Sequence, residues 1–513
     1  MHAKIFSATP IGVNAHSVEI EVDVSFGMVN FFIVGLPDTA IKESSKRIST
    51  ALKNTGVGLP AKKITVNLAP ADIKKEGTLF DLPIALGIMV ASGLLEIPQE
   101  FIQSTLVLGE LSLDGGIRPV RGALAIAFDA KSLGKKRMIV PRENAHEAAL
   151  IDELEVIGVS HLSELVAYLK GDIHIAPTRA QSQYGAQRGN SDVDFSQVKG
   201  QYHAKRALQI AAAGRHNLLM IGSPGSGKTM LAKRLPTIMP GMQFAEVLET
   251  SKIYSISGKL DGKSLIEQRP FRAPHHTVSQ AGLVGGGSFP QPGEVSLAHN
   301  GILFLDELTE FRKDVLEALR QPLETRSVFI ARVQQTVTFP SACMFVAAMN
   351  PCPCGYFGDK KRTCVCAPAQ VEQYFKKLSG PLLDRIDIHI NVPSIDYEEI
   401  TSQAPNKQTS QELFESVAGA VERQKMRSTG SFYWNAYLTP DSIETYCPLS
   451  SEAEQLMKKA YDRLRLSMRG YHKILKLSRT IADLEGSDLI QAHHIQEAIS
   501  YRSLDRIIER TTV

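Results

Sequence analysis

Eight residues, Gly222-Ser223-Pro224-Gly225-Ser226-Gly227-Lys228-Thr229, leave few folds open to this chain. They complete the pattern GxxxxGK[ST]. Its glycines let backbone N–H groups turn inward on phosphate oxygens, and a helix starting at its end adds partial positive charge. Such a loop works only between a buried strand and a helix, and both are present: the apolar run Asn217-Leu-Leu-Met-Ile221 precedes it and MLAKRLPTIM follows it. The pattern predicts an α/β sheet in which Gly222 to Thr229 bind ATP. Lys228 reaches the β- and γ-phosphates, and Thr229 offers a hydroxyl to Mg²⁺.

Two further strand ends belong to the same chemistry. Gly301-Ile-Leu-Phe-Leu-Asp306-Glu307 is an apolar strand closed by two acids. Asp306 is expected to complete the Mg²⁺ shell and Glu307 to polarise the attacking water, although two acids after a strand can also simply open a loop. Ala342 to Asn350 is a third strand, and its last residue stands where such sheets put a γ-phosphate sensor; Asn350-Pro351 alone would read as a turn. Gly380-Pro-Leu-Leu-Asp384-Arg385-Ile-Asp387 follows, leading into the strand IHINV.

At 513 residues the chain has room for two to four domains. A polar segment, 175–197, rich in Gly, Ser and Gln, reads as a linker. Before it, 1–174 mixes strand-like and helical runs. After it, 198–394 alternates strand and helix, and 395–513 reads mostly as helix. No repeat or low-complexity tract is apparent. The 57 basic and 54 acidic residues leave a net charge of +3, too little for a diffuse nucleic-acid trap, so any basic binding surface must be local. The most apolar stretch, Leu82 to Ile97, has 16 residues, short of the ~20 that span a bilayer, and no secretory signal is seen. A cytoplasmic protein without membrane contact is the expectation.

Four of six cysteines fall within Cys352-Pro-Cys354 and Cys364-Val-Cys366. Their thiolates suit tetrahedral Zn²⁺. CxC is tighter than the usual CxxC, and a redox-inert cysteine cluster is the alternative. The helical tail has eight Lys or Arg against three acids between Glu452 and Thr480, and the only Trp lies in the preceding loop, Arg427 to Tyr437. Aromatics beside cations can stack on bases, although such charge runs are usually just solvated.

Taken in order, these motifs resemble the AAA+ ATPases of the magnesium-chelatase-like group, close to the YifB/ComM family, over nearly the whole chain. The resemblance implies an AAA+ α/β core with a helix-2 insert and a pre-sensor hairpin, and a helical lid; the cysteine knuckle at 352–366 is inserted between Asn350 and Arg385, where chelatase subunits have a short loop. It places Val198-Lys-Gly200-Gln201 beside the adenine, makes Arg385 a finger acting on the neighbouring subunit, and makes Arg479 of Leu477-Ser-Arg479-Thr the sensor 2 arginine. The segment Arg269 to Glu294 corresponds to the insert and Ser327 to Phe339 to the hairpin. In related hexameric helicases such hairpins enter the pore, so Arg272, His275, His276 and Arg332 become candidate DNA or substrate contacts, with subunit contacts as the alternative.

The N-terminal domain resembles the Lon-type protease fold through DIKKEGTLFDLPIALG and GELSLDGGIRPVRGALAIAF. That chemistry needs a Ser nucleophile and a Lys base. The aligned positions are Leu79 and Leu124, and the hydroxyl of Thr78 is one position off. A non-proteolytic domain is expected. The resemblance further implies a homo-hexameric DNA motor acting on single-stranded or branched DNA in branch migration during natural transformation, with recombination proteins as further partners. A protein-remodelling ATPase of the magnesium chelatase or MoxR type is the alternative, and the nucleotide motifs do not separate the two.

Overall fold

The computed structural model describes residues 2–75, 77–179, 193–260, 263, 265–287, 290–331, 336–359, 361–395, 408–428 and 433–502. The chain forms two compact units: Met1–Gly185 with Phe244–Ile266 and Ala331–Phe339, and Ala186–Gln243 with Glu267–Ile330 and Pro340–Val513.

In the first unit His2–Ile11 and Asn14–Ser25 pair antiparallel, with His2 opposite Asp23. Val18, Ile20, Val22 and Val24 are buried while the intervening acids are not, the alternation of a sheet with one covered face. Lys63–Ala69 adds antiparallel to this pair, and Asn30–Val34 adds parallel to Lys63–Ala69. Helix Asp81–Ala91 lies on the sheet and is buried at all but one position, so its sequence is apolar on every side. The most apolar stretch of the chain is therefore a core helix. Among the described residues no helix is long and apolar enough to cross a membrane.

A second sheet of this unit holds three parallel strands, Thr105–Val107, Arg137–Pro141 and Glu155–Val159. Leu79 and Leu124 are both buried core side chains, and the Thr78 hydroxyl donates to the Glu110 carboxylate. Helix Phe244–Ser257 also belongs here, although the sequence reading put it inside 198–394. It finds its partners in this unit: the Ser255 hydroxyl donates to Glu147 Oε2 at 3.0 Å, and the Ser255 carbonyl accepts the Gly122 N–H at 3.2 Å.

The second unit is built on a five-stranded parallel sheet in the order Phe271–Arg272, Ile302–Leu305, Met344–Met349, Leu218–Ile221, Ile388–Asn391. Such sheets are covered on both faces, which is why ILFL, MFVAAM and LLMI are unbroken apolar runs. Ser327–Ala331 and Thr336–Pro340 form the expected two-stranded sheet before the strand that ends at Met349; Arg332 lies outside the described residues.

The helices Ser410–Arg427, Pro440–Tyr446, Ser451–Arg463, Met468–Glu485 and Ala492–Ser500 complete this unit. Their interior corrects two expectations. Trp434 is 2% exposed and lies beneath the guanidinium groups of Arg215 and Arg269, at 4.8 and 5.6 Å, so it fills the core and is not a platform for bases. The basic run is not one solvated face either. Lys473 points inward to the Ile386 carbonyl at 3.0 Å, Lys476 to the Ala436 carbonyl at 3.2 Å, and Arg479 is buried.

Ionic groups lock the strand Ile388–Asn391 in place. Burial alone would raise the Asp387 carboxyl, but Lys473 at 3.4 Å and His216 at 3.6 Å hold it below the ordinary carboxylate range. Its Oδ2 also accepts the Asn217 N–H at 3.1 Å. His389 is buried in the strand, and that burial, reinforced by Arg502 and Lys473, holds its pKa down to about 3. Between that value and the ordinary ~6.5 the unfolded chain takes a proton that the folded chain refuses. Stability then falls with pH through this window, by up to about 1.4 kcal/mol per unit. Acidification from about pH 7 to about pH 5 is expected to lower the Tm of this unit more in the wild type than in His389→Phe; equal slopes would exclude His389 as the source.

Candidate nucleotide site and cysteine knuckle

Parallel sheets present their carboxyl ends along one edge, and ligands bind where neighbouring strands diverge in connection. Here Leu218–Ile221 runs into the glycine loop, Ile302–Leu305 into Asp306, and Met344–Met349 into Asn350. Pro224 to Met230, Asp306, Glu307, Met349 and Asn350 line a cleft of about 380 Å³ at that edge. Gly222 is required by close approach, since a Cβ there would come within 2.2 Å of the Val392 carbonyl oxygen.

Lys228 is the first residue of helix Lys228–Arg234 and is buried. Its Nζ donates to the carbonyls of Gly222 at 2.7 Å and Ser223 at 3.0 Å, and reaches Asn350 Oδ1 at 3.3 Å. Burial pushes its pKa down, while Asp306 and Glu307 act in the opposite sense. A buried ammonium held only by neutral oxygens is a site for an anion, and a polyphosphate supplies one.

Thr229 Oγ1 donates to Asp306 Oδ2 at 2.6 Å. A hydroxyl and a carboxylate at that separation are hard oxygen ligands of the kind Mg²⁺ takes beside phosphate oxygens. Glu307 adopts a left-handed backbone (φ 52°), and its side chain is 60% exposed. Gln201, read only as part of an adenine-side segment, donates to the Pro393 carbonyl at 2.7 Å and the Ser226 carbonyl at 3.4 Å, tying that segment to the glycine loop.

Arg385 does not line the cleft. It pairs with Glu324 and donates to the Pro381 carbonyl at 2.6 Å, and Arg469 donates to the same Glu324 at 2.7 Å. Arg479 does not line the cleft either. Its guanidinium donates to Asp483 at 3.1 Å, to the Asp488 carbonyl at 2.6 Å and to the Ser487 carbonyl, so it builds the helical region and is not presented to phosphate.

The DNA candidates also separate. Arg272 forms a two-bond ion pair with Glu294, at 2.6 and 2.8 Å, which commits it to the fold. His275 caps a turn through Thr277, and His276 Nδ1 lies 3.9 Å from Glu307 Oε2, beside the acid of the cleft.

The four cysteines Cys352, Cys354, Cys364 and Cys366 come together, with all sulfurs within 4.8 Å of one another. Three of the separations are 3.3, 3.7 and 3.6 Å. A tetrahedral ion with bonds of ~2.3 Å requires sulfurs about 3.8 Å apart. The thiol set thus fits a metal of that kind. Backbone N–H groups of Tyr356 and Val365 hold the Cys354 thiol down to about 6, whereas burial and the neighbouring thiols push those of Cys364 and Cys366 up, so the four sulfurs share thiolate charge unequally.

Three family models match: "Magnesium chelatase, subunit ChlI" over residues 194–400, "Subunit ChlI of Mg-chelatase" over 20–144, and "Magnesium chelatase, subunit ChlI C-terminal" over 407–502. Competence protein ComM of Haemophilus influenzae is 42% identical over 511 residues, covering 99% of both chains. YifB of Escherichia coli is 40% identical over 508 residues, covering 98% of this chain and 97% of that protein. DNA replication licensing factor mcm5-A of Xenopus laevis is 30% identical over 141 residues, 28% of this chain and 16% of its own. With this likeness running end to end and the phosphate loop, Asp306 and Asn350 meeting at one sheet edge, the chain belongs to the YifB/ComM family of magnesium-chelatase-like AAA+ ATPases.

Proposed function

We propose that this protein is an ATP-hydrolysing hexameric ring that moves on DNA, as a helicase or branch-migration motor in recombination during natural transformation. The observation that carries the nucleotide part is the convergence of Lys228, Thr229, Asp306, Glu307 and Asn350 on one cleft, with Arg385 outside it. Lys228 neutralises the β- and γ-phosphates, and Thr229 and Asp306 hold Mg²⁺, which shields the developing phosphate charge. Glu307, exposed beside the cleft, orients the attacking water, and Asn350 reads the γ-phosphate through the position it now shares with Lys228. An arginine that does not line its own cleft suits a role on the phosphate of the next subunit, so Arg385 is the finger in trans, and the site is complete only in a ring.

The DNA part rests on the competence name of the Haemophilus relative, the replication name of the Xenopus relative and the hairpin before Met344–Met349. With Arg272 committed to Glu294, that hairpin is the better DNA contact. A ring also concentrates the few basic residues of each near-neutral subunit in one channel. Buried Leu79 and Leu124 support the lack of a protease nucleophile and base in the N-terminal domain, whose role is interaction or assembly. The cysteine knuckle holds structural Zn²⁺.

Single-stranded or branched DNA is expected to raise ATP turnover at low salt, with binding that weakens steeply as salt rises. No stimulation would overturn the DNA reading in favour of protein remodelling. Lys228→Ala should abolish turnover, whereas Glu307→Gln should keep ATP bound and trap the assembled ring; hydrolysis at the wild-type rate would remove Glu307 from its role. Purified wild type should carry stoichiometric zinc that Cys354→Ser loses, and well-folded wild type without metal would retire the zinc assignment.

A further inference from the structure

The interval between the two cysteine pairs reads in sequence as a turn with a basic tip, yet its acid does more than solvate it. Asp359 Oδ1 accepts the backbone N–H groups of Lys361 at 2.7 Å and Arg362 at 3.1 Å, which closes the turn inside the knuckle. Its Oδ2 accepts the hydroxyl of Ser223, the second residue of the phosphate-binding loop, and the Ser394 hydroxyl bonds the same carboxylate. One side chain thus joins the cysteine turn to the glycine loop.

A second contact runs beside it. Gly355, next to Cys354 and with φ +85°, lies so close to Pro224 that a Cβ there would stand 2.6 Å from Pro224 Cδ. Its N–H donates to the Cys352 carbonyl at 2.9 Å, and the Phe357 N–H points to Cys352 Sγ at 3.3 Å. The knuckle therefore touches both Ser223 and Pro224. Ser223 also contributes the carbonyl that holds Lys228 Nζ at 3.0 Å. From cysteine turn to phosphate-binding ammonium the path is Asp359, Ser223, Lys228.

We infer that Asp359 is a positioning residue of the nucleotide site, through which a metal-filled knuckle holds the glycine loop in its phosphate-receptive shape. The inference rests on the nucleotide reading and, for its metal half, on the zinc reading. A turn of this size has almost no apolar interior, so the four thiolates and their ion are what give it a fixed shape. An aspartate carried on a fixed turn can hold Ser223 at little entropic cost, and one carried on a collapsed turn cannot. Nucleotide affinity then depends on metal that never touches the nucleotide.

The test uses the full-length protein and two readouts, zinc content and the equilibrium Kd of a fluorescent ATP analogue. Asp359→Ala is expected to keep wild-type zinc and raise Kd about tenfold, the loss of one charge-assisted hydrogen bond. The KM for ATP should rise with it, with little change in kcat at saturation. Ser223→Ala should raise Kd similarly, and the double variant no further, because both act through one contact. Stripping wild type with a chelator should raise Kd by the same factor while leaving Asp359→Ala within about twofold of its own value. A variant that simply misfolds would not show this non-additivity. Wild-type Kd in Asp359→Ala, or additive effects of Asp359→Ala and Ser223→Ala, would overturn the inference while leaving the zinc assignment standing. Wild type without zinc, but with the Kd effect of Asp359→Ala intact, would overturn the metal half alone. Failure of wild type to bind nucleotide would instead overturn the reading on which the inference rests.

Discussion

The nucleotide cleft depends on one pairing. Leu218–Ile221 lies between Met344–Met349 and Ile388–Asn391, parallel to both, with Leu218 opposite Val346 on one side and Ile388 on the other. Because all three strands run the same way, the residues after them arrive at the same edge. A slip of one residue would turn every side chain of Leu218–Ile221 to the other face and carry Asn350 away from Lys228. The contact is close enough to dictate sequence. The Val392 N–H donates to the Ile221 carbonyl at 2.7 Å, and the Val392 carbonyl then occupies the space where any side chain at 222 would go. Gly222 is thus needed for the sheet as well as for the phosphate.

Charge is distributed around that edge in a way that separates structure from chemistry. Asp387 is held by Lys473 and lies beside His216, and Asp483 is held by Arg479 and Arg427 among the helices. Removing one member of such a set strands the others, which fixes their geometry whatever their net worth to stability. Lys228 differs. Its hydrogen-bond partners are carbonyl and amide oxygens, and the acids near it, Asp306 and Glu307, are the groups proposed to engage a metal and a water. Lys228 thus hydrogen-bonds no carboxylate, and a phosphate oxygen can take up that bonding.

What could be seen in the sequence was whatever is written in contiguous residues. The glycine loop, the apolar strands ending in Asp306-Glu307 and Asn350, and the paired cysteines each carry their chemistry within a short span, and the three strand ends meet at one edge. Residues whose role depends on a distant partner were not legible. Trp434 looked like a surface aromatic because nothing local announces Arg215 and Arg269 above its ring. Arg272 looked like a loose cation because Glu294 lies 22 residues on. Arg479 stood at an attractive position in a helix, but Asp483 one turn later and two carbonyls beyond the helix end claim its guanidinium. Asp359 was hidden among lysines, and its partner Ser223 is 136 residues away.

Arg385 shows how such an ionic contact can be compatible with motion. In the isolated subunit it and Arg469 converge on the carboxylate of Glu324, whose side chain is 48% exposed. Water reaches that carboxylate, although the Arg385 side chain is itself only 13% exposed, so the pair lies between an open surface pair and a buried one. In the ring proposed above, a phosphoryl group arriving from a neighbouring subunit would offer more oxygens and more charge, and charge-assisted bonds to it are about twice as strong as neutral ones. On the proposed ring, exchange of Glu324 for phosphate would be favoured by an interface that excludes solvent and reversed when the phosphate leaves. The same exchange would not work for Arg479, which like Asp483 is only 1% exposed and so is out of reach of an incoming phosphate. Burial of the partner carboxylate, more than position along the helix, thus separates Arg385, held by half-exposed Glu324, from Arg479, held by buried Asp483.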